Sequence, residues 1–241
     1  MLTAGFIRHV RLAPDADTGR YPFTLPVVRS LVGEELELDP GVTFLVGDNG
    51  AGKSTLVEAL AVAAGFNAEG GSRSFRFATR ATESSLGDDL IVQWGLRKPR
   101  NGFFLRAESF YNVASEIERL DVVDAYGGRS LHEKSHGEAF LALVTHRFGP
   151  NGLYLLDEPE AALSPRGCLA LIARIAELVE QGSQFVIATH SPIVLAVPGA
   201  RILQIDADGA IERVEYDEAE PVAMTRGFLA DPNRFLRHLV G

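Results

Sequence analysis

The chain has 241 residues, 46% of them hydrophobic, so it can bury a substantial core, and its size favours a single folded domain spanning 1–241 over a disordered chain. With 32 acidic against 23 basic residues the net charge is −9, so the whole-molecule field attracts neither nucleic acid nor an anionic membrane. One cysteine, Cys168, rules out an internal disulfide and any multi-cysteine zinc site; with no signal-peptide core and no apolar run near the roughly 20 residues of a membrane span, the expectation is a cytoplasmic protein without membrane insertion.

The first third reads as short strands: Phe6 to Leu12, a stretch around Tyr21 to Val28, Glu35 to Leu38, and the apolar run Val42 to Val46. That run meets a glycine loop and then Leu56 to Ala64, which is helix-forming in composition and stops at Gly65. A looser region, Asn67 to Leu86, precedes what reads as a hairpin: Asp89 to Leu96, a turn over Lys98 to Gly102, and Phe103 to Arg106. A short helix over Val113 to Leu120, a turn at Gly127-Gly128 and a helix from about Gly137 to Phe148 follow. Leu153 to Leu156 and Phe185 to Ala188 are buried strands by their continuous apolar character, separated by an amphipathic helix over Pro165 to Glu180. The remainder supplies strands at Ile202 to Ile205 and Ile211 to Tyr216 and a closing helix near Phe228 to Leu239. Strands alternating with helices predict an α/β fold with a mostly parallel sheet flanked by helices.

Gly47-Asp48-Asn49-Gly50-Ala51-Gly52-Lys53-Ser54 matches the phosphate-loop pattern G-x-x-x-x-G-K-[ST] in full, between a predicted strand and a predicted helix. Its glycines let backbone N–H groups turn toward phosphate oxygens at a helix N-terminus. Lys53 reaches the outer phosphates, Ser54 offers a hydroxyl to Mg²⁺, and Thr55 adds another near the inner phosphate. A glycine-rich turn with a merely solvated lysine is the competing reading; the strand–loop–helix context argues against it.

Two carboxylates, Asp157-Glu158, end the apolar strand at 153–156, where open α/β sheets place ligands. Asp157 is expected to hold hydrated Mg²⁺, and Glu158 to orient or deprotonate the water that attacks the γ-phosphate of ATP. Ala188-Thr189-His190-Ser191-Pro192 again follows an apolar strand, so His190 reaches the same sheet edge and is expected to contact the γ-phosphate.

Taken together, GDNGAGKST, SHGE at Ser135 to Glu138, LYLLDEPEAALSP at 153–165 and ATHSP at 188–192 resemble the ATP-binding-cassette ATPases in motif order. The resemblance implies a P-loop NTPase with an ABC-type core, an N-terminal antiparallel β lobe, and MgATP hydrolysis in an ATP-sandwiched homodimer. It also implies that Ser135 and Gly137 act in trans on the partner's nucleotide, although His136 stands where the signature usually has a second glycine. Ala161 to Ser164 resembles the family's dimer-contact loop, with Ser164 where an aspartate is common. The Glu-Pro-Glu run at 158–160 is more similar to stand-alone ATPases of the overcoming-lysogenization-defect and RecF-like groups than to transporter subunits, which usually carry Thr after the proline. For the glutamine-loop position, which senses Mg²⁺ and water, Glu108 is the candidate by place and Gln93 by residue type; Tyr21 and Phe23 are available to stack on adenine.

Between Glu108 and Ser135 lie only 26 residues, too few for a multi-helix lobe, so a reduced helical subdomain is expected. That favours a soluble protein partner, or nucleic acid held by a local patch such as Arg73, Arg76 and Arg80, over a membrane transporter; a non-hydrolysing nucleotide switch is a third reading.

Overall fold

The computed structural model describes residues 5–72, 86–107, 110 and 135–239. In chain order the elements are β1 (Ile7–Leu12), α1 (Pro26–Arg29), β2 (Leu36–Glu37), β3 (Val42–Gly47), α2 (Lys53–Ala63), α3 (Leu86–Asp89), β4 (Leu90–Trp94) and β5 (Asn101–Arg106). There follow α4 (His136–Arg147), β6 (Gly152–Asp157), α5 (Pro165–Glu180), β7 (Gln184–Ala188), β8 (Arg201–Ile205), β9 (Ile211–Val214), α6 (Glu220–Ala230) and α7 (Pro232–Leu239). The short helix expected at 113–120, the turn at Gly127-Gly128 and the patch Arg73, Arg76 and Arg80 lie outside the described residues.

Six strands form the central sheet in the order β5-β6-β7-β3-β8-β9, parallel throughout except for β9, which runs antiparallel to β8. Its central strands are buried on both faces because side chains alternate between two cores. Phe44, Phe103, Tyr154 and Phe185 point to the core that α4 and α5 cover, while Leu45, Phe104, Leu155 and Val186 point to the core shared with α2 and the antiparallel strands. Each such side chain, removed from water, contributes about 1.5–3 kcal/mol.

A second, three-stranded antiparallel sheet has the order β2-β1-β4. It is fastened to the central sheet by the Gln184 side chain, which accepts from the Ile7 amide at 2.9 Å and donates to the carbonyls of Ile7 and Asp39, each at 2.8 Å. One side-chain amide thus stands in for a strand rung between two sheets.

The helix α2 begins at the phosphate loop and ends in a paired C-terminal turn. Phe66 N–H bonds to Ala61 O and Gly65 N–H to Val62 O, both at 2.9 Å, with Gly65 at φ +85°. A side chain at that φ is strained, which is why the helix stops at a glycine.

Three sequence expectations are corrected. Tyr21 to Val28 is not a strand: Thr24 N–H closes onto Arg20 O, Leu25 N–H onto Pro22 O, and Pro26 opens α1. Pro22 and Pro26 lack the donors a ladder requires and favour turns and helix starts. The hairpin is also absent, since β4 pairs antiparallel with β1 and β5 pairs parallel with β6. The Phe-Phe-Leu run of β5 is buried on both faces, which suits an interior parallel partner better than a half-exposed hairpin. The closing helix is two helices, α6 and α7, separated at Asp231 ahead of Pro232, where proline disfavours a helical residue before it.

Candidate active site at the carboxyl ends of the central strands

The loop after β3 carries the phosphate-binding pattern. Gly52 lies at φ +90°, and a Cβ there would meet Val27 Cγ1 at 2.6 Å, so both backbone conformation and the packed α1 segment demand glycine. Lys53, the first residue of α2, is buried and donates to Gly47 O at 2.8 Å and Asp48 O at 2.9 Å. Burial pulls its ammonium below the usual lysine range, opposed by the nearby carboxylates of Glu158 and Asp157. Because Lys53 opens α2, its cation lies at the positive end of the helix, an arrangement suited to an anion.

On the neighbouring strand, β6 delivers Asp157 to the sheet edge, and its side chain is 7% exposed. Glu158 follows in the left-handed region at φ +49°, held there by its N–H to Ala188 O at 2.9 Å and its carbonyl to Ala161 N at 3.0 Å. A non-glycine residue in that region stores about 1–3 kcal/mol, and here the strain turns the Glu158 side chain toward the cavity. Ser54, Arg106, Asp157, Glu158 and His136 line this cavity, whose volume is about 260 Å³.

Arg106 was not singled out from sequence. It ends β5 beside Asp157, with Nε 3.4 Å from Asp157 Oδ2 and Nη1 2.6 Å from Glu58 Oε2 on α2. It therefore ties the aspartate-bearing strand to the phosphate-loop helix. No local motif marks it; only the parallel pairing Arg106 to Asp157 does.

His190 stands on the loop after β7, its Nε2 3.8 Å from Glu158 Oε1. Its backbone N–H donates at 2.7 Å to Oε1 of Glu160, a second residue that sequence reasoning gave no role. Thr189, fully buried, anchors the preceding residue by donating its N–H to Leu45 O on β3.

Ser135 and Gly137 open α4. Ser135 is the N-cap of a capping box: its N–H donates to Glu138 Oε2 at 3.0 Å, and its Oγ accepts from Glu138 N at 3.4 Å. Gly137 packs against the turn after Glu158, where a Cβ would lie 3.0 Å from Ala162 O.

Glu108 lies outside the described residues, but the preceding Ala107 lines the cavity and donates its N–H to Asp157 O at 3.1 Å. Gln93 is exposed on β4, opposite His9 in the three-stranded sheet, and does not line the cavity. Phe23 is fully buried under the Arg20 guanidinium and belongs to the core, so it is withdrawn as an adenine platform; Tyr21 is 72% exposed. Cys168 is buried in the core on α5, its thiol pushed up chiefly by burial and further by Glu160.

One AAA-domain family model matches residues 27–123, and a second, whose description also names the AbiEii toxin and a type IV toxin–antitoxin system, matches residues 120–196. The ribose import ATP-binding protein RbsA of Jannaschia sp. (strain CCS1) is 31% identical over 190 residues, 69% of this chain and 36% of that protein. An ABC transporter ATP-binding protein of Pyrococcus furiosus is 25% identical over 244 residues, 89% of this chain and 92% of that protein. The chain spans only 36% and 41% of the two ribose import proteins it matches. Among solved structures, cbiO1 from Clostridium perfringens, part of the ABC transporter complex cbiONQ, aligns over 98% of this chain and 99% of that one with a TM-score of 0.50 and 17% identity, a likeness of fold.

Proposed function

We propose that this chain, as an ATP-binding-cassette type of P-loop ATPase, binds MgATP and hydrolyses it between two copies of itself. The observation that carries the reading is convergence: Lys53, Asp157, Glu158 and His190 stand at the carboxyl ends of β3, β6 and β7, which are neighbours in the sheet. Backbone amides of residues 47–55 and Lys53 would hold the phosphates. Asp157 and the Ser54 hydroxyl are hard oxygen donors on one cavity and fit Mg²⁺, which when bound neutralises phosphate charge. Glu158 would orient the attacking water and accept its proton, and His190, facing Glu158, would contact the γ-phosphate.

The exposed N-terminus of α4, with Ser135 and Gly137, would close over the nucleotide of the partner copy. The closing and opening of that dimer would act on a soluble protein or nucleic acid. Several relatives are named as import or export ATP-binding proteins, which keeps a transporter subunit as the second reading. Against it stands the 26-residue interval between Glu108 and Ser135, which leaves little surface for a membrane partner.

Glu158→Gln should keep ATP binding and lose turnover by about 10²-fold or more, the scale of general-base catalysis. With MgATP it should sediment as a dimer, and adding Ser135→Arg should return it to monomer. Near-normal hydrolysis by Glu158→Gln would remove Glu158 as the base, and a dimer that survives Ser135→Arg would remove the trans site. Recovery of the native protein in membranes, bound to a multi-span protein, would favour transport.

A further inference from the structure

The turn that follows β6 reads Glu158-Pro159-Glu160, and its two carboxylates both address one residue, His190, on the loop after β7. Glu158 Oε1 lies 3.8 Å from the His190 imidazole, and Glu160 Oε1 accepts from the His190 backbone N–H at 2.7 Å. The rest of the loop caps itself: Ser191 N–H donates to Thr189 Oγ1 at 3.0 Å and Val194 N–H to Ser191 Oγ at 3.3 Å. The His190 amide, by contrast, reaches across to the β6 turn for its acceptor. Glu160 needs no carboxylate for its own turn, which its backbone closes through Leu163 N–H to Glu160 O at 2.8 Å.

A charged acceptor makes a shorter and roughly twofold stronger bond than a neutral one. Burying a carboxylate is unfavourable, and Glu160 Oε2 is buried with no hydrogen-bond partner among the described residues.

We infer that Glu160 is a positioning residue: its carboxylate fixes the His190 backbone so that the imidazole faces Glu158 and the phosphate site, making the Glu-Pro-Glu turn the part that couples the two catalytic loops. The inference rests on the hydrolytic reading above. Glu160 is not among the residues that line the cavity, and its hydrogen bond goes to His190. Its loss therefore lowers turnover, not ATP affinity, because a misplaced catalytic group slows chemistry without removing the phosphate cradle.

The test uses histidine-selective ¹⁵N labelling, which gives six backbone amide signals, one from His190, assigned through His190→Gln. Glu160→Ala should move the His190 amide signal upfield, lower kcat about 10²-fold, and leave the Kd for MgATP within about threefold. Glu160→Gln keeps a carbonyl acceptor at the same reach and should restore the amide position and most of kcat, which also guards against a variant that merely misfolds. Glu160→Ala with normal kcat, or with kcat lost while the His190 amide stays in place, would overturn the inference. Glu158→Gln, run alongside, separates the two readings: if it abolishes turnover while Glu160→Ala turns over normally, only the positioning role fails; if it too turns over normally, the hydrolytic reading fails first.

Discussion

At the amino-terminal ends of β5, β6 and β7 polar groups are paired with one another, whereas at the opposite end of the sheet Ser54, Arg106, Asp157 and Glu158 line a cavity. At the lower end the Tyr154 hydroxyl accepts from Gly149 N at 2.7 Å and lies 2.8 Å from both Asn101 Oδ1 and Gly149 O, one of which takes its proton. Ser183 Oγ accepts from Gly152 N at 3.0 Å and donates to Gly149 O at 3.1 Å. The Tyr154 ring stacks on Phe148 at 4.2 Å, and no side chain larger than glycine fits at 152, where a Cβ would lie 2.3 Å from the Tyr154 hydroxyl. The upper end holds a buried lysine, a glutamate in the left-handed region, and two buried atoms, Glu160 Oε2 and His190 Nε2, with no hydrogen-bond partner among the described residues. One end of the sheet is closed largely by hydrogen bonds within the fold; the other holds backbone strain and opens on the cavity where the nucleotide is proposed to bind.

The largest effect expected from this contrast is at Lys53. Lys53→Ala should weaken MgATP binding about 10–100-fold, the worth of a hydrogen bond to a charged group. Its melting temperature should be unchanged or higher, because burial already disfavours the Lys53 ammonium. An ATP titration beside a thermal scan checks this, and a melting point lower by several degrees would show that the upper end is structural as well.

The matching change below is Tyr154→Phe, which should lower stability by about 2 kcal/mol by leaving buried partners unsatisfied, with kcat unaltered. Burial pushes the Tyr154 hydroxyl up to about 12 from 10.0, so the folded state holds that proton more tightly than the unfolded chain. Stability is therefore full below pH 10 and falls as pH rises from there to about 12, a slope that Tyr154→Phe should remove in denaturant titrations at alkaline pH.

The smallest effect lies at the seam between the sheets. The Arg201 guanidinium at the start of β8 stands 3.1 Å from Glu37 of β2 and holds that carboxyl below its usual range. Glu37 is exposed, so solvent screens the pair and Glu37→Gln should cost only about 0.2–1 kcal/mol. Because the folded-state value is depressed, this contribution is present above the usual carboxylate value of 4.5 and is lost as pH falls through the lower folded-state value. Equal stability of wild type and variant at neutral pH and low salt would mean that Gln184, rather than this ion pair, holds the seam.

Much of the site was legible because it is contiguous. Residues 47–55 are one contiguous segment, a glycine-bearing loop running from the end of β3 into the first turn of α2, and Asp157, Glu158 and His190 each follow an apolar run that marks the end of a buried strand. The central strands and α5 were legible for the same reason, since periodicity and continuous apolar character act over a few residues. The hairpin at 89–106 was misread because two strands close in sequence need not pair, and their partners, β1 and β6, are chosen by long-range burial.

The sequence by itself determined the phosphate loop, the acidic strand tip and the alternation of strands with helices, all properties that neighbouring residues impose on one another. Only the tertiary structure decided that Arg106 meets Asp157 and Glu58, that Glu160 holds His190 thirty positions away, and that Gln184 receives Ile7 across 177 residues. Such pairings join side chains whose separation along the chain carries no period, so they exist only once the parallel register has set the strand ends side by side.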